Sequence, residues 1–495
     1  MSSAISQFAS RLESAIGASH VSADPSLCSE YVVDEMTPSA VAKPTSAEEV
    51  AEVVRFAALE KLSLIPCGHR TKVHIGMPPS RYDIALDMTG LHQIAHYDPG
   101  DLTMSVNAGA NFNDLAAPLY QQKQFLPLSV PFYFESTIGG IIASGVDCSL
   151  RHAYGTARDF LIGGEFVDGT GRLCKSGGRV VKNVTGYDLH KLLIGSLGTL
   201  AVITRLNFRT FPAAPASRGF VLSFPAPDNA LRFSNLIERS PLGPASIDVV
   251  SPQLLELFLE AERNSAEPPA APFQGKFPAD SWHLCVSVEG PAEVCDRASR
   301  EFTRIVALPE AQHSQLITLN ETEGAELWHY LGQSIPLLLD ASPDSAIFKI
   351  AILPSRLVPL LEELHALAEQ ASLRHAILAR ACGVMYFALL PEGPGQHRSL
   401  DSDSFRRLAG AASAVFSVCA KENASATLNW CPTQLKREVN VWGFDFVAPA
   451  SGRPVSPSAV SNATPAAALP DLALMRRLKS AFDPQNLFAP GRLLP

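Results

Sequence analysis

The chain has 495 residues, 46% of them apolar and 18% charged, enough for two or three packed cores and too apolar for general disorder. Forty basic residues against 49 acidic ones leave a net charge of −9 without a basic stripe, which argues against a nucleic-acid binder. No apolar run approaches the ~18 residues of a spanning helix, and Met1-Ser2-Ser3-Ala4-Ile5 lacks the basic and apolar regions of a secretory signal, so a cytoplasmic protein is expected.

Residues 1–30 read as an amphipathic helix and a loop. Ser46-Ala47-Glu48-Glu49 is a capping box, and Val50, Val53, Val54, Ala57 and Ala58 follow at helical spacing. Strands are expected at 62–66, 83–87, 102–107 and 125–128, with a helix near 112–122 and a small-residue segment at 136–146. Strands at 161–167 and 172–175 flank the turn signal Asp168-Gly169. Asp188 is placed to cap a helix whose apolar residues are Leu189, Leu192 and Leu193, and 201–208 alternates as a half-buried strand. From 216 to 445, helices (253–263, 292–304, 356–370, 403–412) lie between short strands (219–224, 283–288, 347–352, 384–390). Residues 264–281 are a Pro/Ala-rich loop, 447–470 a Pro/Ala/Ser-rich linker, and Leu472, Met475, Leu478 and Phe482 mark a last helix.

Nine cysteines (28, 67, 148, 174, 285, 295, 382, 419, 431) are scattered without a Cys-x-x-Cys pair, so neither an iron–sulfur cluster nor a structural zinc is expected from this chain alone. They fit reduced thiols.

Three glycine-bearing segments stand out. Pro66-Cys67-Gly68-His69-Arg70-Thr71-Lys72 is a turn after a strand, whose amides and Thr71 hydroxyl suit a phosphate. Ser136-Thr137-Ile138-Gly139-Gly140 opens a small-residue helix that a cofactor could approach closely, although paired glycines also serve plain helix packing. Ser176 to Thr204 holds Gly177, Gly178, Gly186, Gly195 and Gly198 around a short helix; polyanion binding and ordinary turn-making stand as equal readings of it.

Together these blocks resemble, in family order, the vanillyl-alcohol-oxidase/PCMH family of FAD flavoproteins, and within it the flavin subunits of bacterial glycolate oxidases. The resemblance implies an α+β fold: a two-subdomain PCMH-type FAD-binding domain at 31–215 after the extension 1–30. An α+β cap with an antiparallel sheet would follow at 216–446, then the linker 447–470 and a segment 471–495 returning to the FAD domain. It implies FAD contacts from Cys67, Gly68, His69, Arg70, Thr71 and Lys72 in the pyrophosphate loop, and from Pro131, Thr137, Ile138, Gly139, Gly140 and Ser144. Further contacts are implied for Val181, Lys182, Asn183, Val184, Gly186, Tyr187, Asp188, Gly198, Thr199, Val202 and Ile203. His69 and Arg70 depart from the family's glycines, and Thr71 falls where some relatives attach FAD to a histidine, so non-covalent FAD is expected. Asp483-Pro484 to Gly491-Arg492 resembles the family's closing element, with Ala489 in place of its usual Asn.

The hydroxyacid-oxidising relatives' paired-histidine metal segment is missing. His365 and His375, ten residues apart on helix and loop texture, are not expected to bind metal. Arg380, Lys349 and Trp430 could meet a carboxylate but read more readily as structural, and no catalytic base is assigned. The resemblance implies the FAD-binding subunit of a glycolate-oxidase-type complex. Its substrate would be a small 2-hydroxy acid (glycolate or D-lactate), its partners a D-type flavin subunit and an iron–sulfur subunit, and any membrane association would come through those partners. The alternatives are a stand-alone FAD-dependent 2-hydroxy-acid dehydrogenase and a non-catalytic flavin-bearing or scaffolding subunit.

Overall fold

The computed structural model describes residues 2–179, 186–264, 275–307, 315–391, 400–443 and 470–494. The expected linker 447–470, apart from Pro470, lies outside them, as does most of the Pro/Ala-rich loop.

Among the described residues, the N-terminal region carries two main sheets. The first orders its strands Val21–Ser22, Ala40–Ala42, Ile84–Asp87 and Leu64–Cys67, the last three parallel. The helix Ala47–Glu60 covers it because Val50, Val53, Val54 and Ala57 recur on one face, all buried. Ser46 accepts the Glu49 N–H as the box requires; the Glu49 carboxylate, though, takes the Thr45 N–H at 2.7 Å, one residue earlier than the standard partner. The C-terminal tail then joins the edge strand: Leu64 N–H donates to Leu487 and Ala489 N–H to Leu64, each at 2.8 Å.

The second sheet is antiparallel, in the order Ile94–Asp98, Thr103–Asn107, Val202–Arg209, Leu161–Val167, Leu173–Gly177. The helix Ile138–Ser144 packs against it, capped by Thr137, whose hydroxyl accepts the Gly140 N–H at 3.3 Å. The strand expected at 125–128 is only Gln124–Phe125, paired with Phe211–Pro212.

The third sheet has eight antiparallel strands drawn from residues 216 to 430. Helices Pro227–Glu238, Ala292–Val306, Leu357–Gln370 and Ser402–Lys421 cover one face. The other face packs on Pro252–Asn264, Glu321–Gly332 and Ser334–Ala341, and meets Ile75, Phe132, Val146 and Leu197 of the N-terminal region. No helix among the described residues is long and apolar enough to cross a membrane.

One local expectation holds only in part: Leu193 is buried as expected, but the Asp188 side chain makes no capping hydrogen bond. Residues Leu189–Leu193 form a 3-10 helix, in which positions three apart eclipse. His190 and Leu193 are therefore buried at 1% exposure while Leu189 and Leu192 stand at 36%.

Candidate functional site

A cleft of about 780 Å³, open to solvent, lies at the carboxyl end of Leu64–Cys67, where parallel strands leave a crevice for ligands. One wall is the loop Gly68, His69, Arg70, Thr71 and Lys72. Thr137, Gly139, Gly140 and Ser144 of the capped helix form a second, and Gly198, Val202 and Ile203 a third. Three segments far apart in sequence thus meet around one space. Met88, Ala108, Leu197 and Arg492 also line it; the first three were unmarked because their role is to pack rather than to bond.

Gly139 lets the helix reach the sheet. A Cβ there would stand 2.8 Å from the Ala108 carbonyl oxygen, a backbone atom that cannot swing away. Gly139→Ala is accordingly expected to cost about 1–3 kcal/mol in chemical unfolding and to lower the flavin content of the purified protein.

The loop is electrostatically unusual. Lys72 is buried, and its Nζ donates to the Ser136 hydroxyl and, at 3.1 Å, to Thr71 Oγ1, with the Phe132 ring 5.6 Å away. Burial pulls its pKa down to about 7, against only a partial upward pull from Glu135. Such an amine facing a glycine-walled cleft suits an anion, whose charge would restore the ammonium. Arg492 from the tail is buried and donates to the Val73 and Ile75 carbonyls; Lys436 donates to that of His74 at 2.5 Å. The loop's backbone is therefore held by two cations from the far end of the chain.

The two departures from glycine resolve differently. Arg70 adopts φ +64°, the left-handed conformation a glycine would supply, and its guanidinium lies 4.3 Å over the Tyr31 ring. His69 is exposed, its Nδ1 2.7 Å from the Glu135 carbonyl.

Not all of the other expected residues line the cleft. Cys67 lines the cleft, but its thiol is buried, donates to the Leu86 carbonyl at 3.7 Å and is pushed far up in pKa by burial. Pro131 is set back, its carbonyl accepting from Ser136, which in turn holds Lys72. Ile138 is core, and the Thr199 hydroxyl is spent on the Ser196 carbonyl. Gly186, Tyr187 and Asp188 are exposed away from the cleft, Tyr187 at 88%, while Val181, Lys182, Asn183 and Val184 lie outside the described residues.

A second cavity, about 810 Å³, adjoins the first at the end of the capped helix: Ser144 lines one and Gly145 the other. Arg151, Arg158, Lys191 and Lys349 surround it with Asp147 as the facing acid. Lys349 donates to the Gly145 carbonyl at 2.9 Å, tying the eight-stranded sheet to the N-terminal region. Arg380 is buried between Asp147 (3.7 Å) and Asp248 (3.9 Å), with Tyr386 beneath it, and is held structurally, as the sequence suggested. Trp430 is buried in the core. His365 and His375 are not apart: the fold sets His365 Nδ1 3.0 Å from His375 Nε2, because the second residue lies on a strand that returns beside the helix of the first.

A glycine-walled cleft with a buried amine, set between a mixed sheet and an antiparallel one, suits the phosphates of a nucleotide cofactor. Residues 38–177 match the FAD binding domain family, and residues 214–387 and 467–493 match the C-terminal domain of FAD linked oxidases. The chain belongs to this family of PCMH-type FAD-linked oxidases, and FAD is its cofactor. It is 34% identical over 171 residues to glycolate oxidase subunit GlcE of Escherichia coli (strain K12), covering 34% of this chain and 48% of that protein. It is 30% identical over 191 residues to a D-2-hydroxyglutarate dehydrogenase of Xanthomonas citri pv. viticola, covering 39% and 40%. The chain thus spans half or less of the length of these curated relatives. A solved 4-ethylphenol oxidase from Gulosibacter chungangensis superposes with a TM-score of 0.72 at 15% identity, over 100% of this chain and 98% of that one, which shows the shared fold.

Proposed function

We propose that this chain is the FAD-binding subunit of a glycolate-oxidase-type complex in the cytoplasm, taking part in the oxidation of a small 2-hydroxy acid such as glycolate or D-lactate. The observation that carries the cofactor part of the reading is Lys72, a buried amine with hydroxyl partners, lining a cleft walled by Gly68, Gly139, Gly140 and Gly198, and the GlcE likeness supports the subunit part. These residues and the loop amides would hold the FAD diphosphate, with Arg492 and Lys436 fixing the loop that presents them. Thr71 offers no nitrogen for attachment, in keeping with non-covalent FAD. FAD, when bound, supplies the hydride acceptor.

The cavity beside Gly145 suits the substrate side. Arg151, Arg158, Lys191 and Lys349 outnumber Asp147, which favours a carboxylate. Glycolate and D-2-hydroxyglutarate, named in the two relatives, are both 2-hydroxy carboxylates, so one anionic recognition chemistry serves both. The GlcE likeness supports a D-type flavin subunit beside this chain, and an iron–sulfur subunit would complete the complex as electron acceptor.

The test is an anaerobic absorption spectrum of the purified chain, alone and with a D-type subunit, before and after glycolate or D-lactate. The proposal expects a flavin spectrum that bleaches only with the partner present. Bleaching of the isolated chain would establish the stand-alone dehydrogenase instead, and failure to take up added FAD would remove the basis of both.

A further inference from the structure

The sequence around the cap's third covering helix has the spacing His-x3-Glu-x5-His, unused by the flavin site. His365 and Glu369 lie four apart on Leu357–Gln370 and so share one face of it. The chain then turns through Ser372, at φ +52°, and returns as Arg374–Arg380 with His375 near its start. Along that strand His375 shares a face with Ile377 and Ala379, which pack beneath the covering helices. Ala376 and Leu378 point to the opposite face, the one that meets the N-terminal region. The cluster is therefore on the side of the cap turned away from the flavin cleft.

We infer that His365, Glu369 and His375 form a zinc-type divalent-metal site that staples this helix to its strand. One ligand atom from each residue lies within 4.8 Å of the others, and the two imidazole nitrogens are 3.0 Å apart. Two nitrogens bound tetrahedrally at ~2.0–2.1 Å stand about 3.3 Å from one another, so the pair needs a shift of only a few tenths of an ångström. Two imidazoles and one carboxylate are a three-ligand zinc set, and the exposure of His365 and Glu369 leaves a fourth position to water. His375 is prepared for the task. A hydrogen bond to the Leu373 backbone orients the ring.

The full FAD-bearing chain, stripped with EDTA and dialysed, would be titrated with Zn²⁺ by calorimetry, with bound metal counted by mass spectrometry. About one ion per chain is expected, with a rise in melting temperature and an unchanged flavin spectrum. His365→Ala and Glu369→Gln, both at exposed positions, should each weaken binding by at least the ~10–100-fold that even an outer partner of a metal ligand costs. Absence of stoichiometric binding, or binding that survives both substitutions, would overturn the assignment.

Discussion

Lys72→Met is expected to weaken FAD binding by on the order of 10–100-fold, the value of one hydrogen bond to a charged group. Methionine fills the stem's space, and the variant loses an amine that is poorly solvated when the cleft is empty, so the apoprotein should unfold no more easily than wild type. Fluorescence titration of FAD into the two apoproteins measures the difference. The pH dependence gives a sharper signature. In the ligand-free protein Lys72 titrates near 7, and a bound diphosphate would raise that value. Between the two, binding FAD takes up a proton, so affinity should fall as pH rises above about 7, by up to tenfold per unit, and be flat in this group below it. Lys72→Met should lack that slope. A wild-type profile between pH 7 and 9 that matches the variant's would mean Lys72 does not face the phosphates.

Lys436→Met should lower the unfolding free energy by about 3–5 kcal/mol, the usual cost of orphaning one partner of a buried ion pair. Lys436 Nζ and Asp34 Oδ1 are 2.7 Å apart with both side chains 1% exposed, joining residues 402 positions apart. Thr433 Oγ1 donates to the same carboxylate oxygen at 3.1 Å. Removing the ammonium leaves Asp34 buried among too few donors and frees the His74 carbonyl from its grip. Flavin should therefore be lost more readily as well. Asp34→Asn in the same chain should recover part of the loss, since the uncompensated charge is its main source. Denaturant unfolding of the single and double variants decides it; a Lys436→Met protein within 1 kcal/mol of wild type would show that the loop is held by Arg492 alone.

What the sequence determined by itself was local. Ser46 and Glu49 announce a helix start because a cap is made within four residues, and Asp168-Gly169 announces a hairpin because the turn is made within two. The glycine at 139 was legible too, since a Cβ there would press on the Ala108 carbonyl oxygen at 2.8 Å, whereas Gly68 and Gly140 face the Thr137 side chain. Where the local rule itself depended on helix type, it held only in part: Leu193 is buried as expected, but the 3-10 turn buries His190 with it and leaves Leu189 and Leu192 at 36%. The tertiary structure decided which cations matter. Lys72 is a charged residue beside a turn until Ser136 and Phe132 enclose it. Arg492 and Lys436 gain their roles only when the tail and the end of the cap fold back onto the loop, more than 360 residues earlier in the chain. Arg380 reaches Asp147 and Asp248 because its strand pairs with Ser246–Val250, and His375 reaches His365 because the strand returns beside the helix. Caps and turns are written in neighbouring residues; partners for buried charge are set by strand order, which no short window of sequence contains.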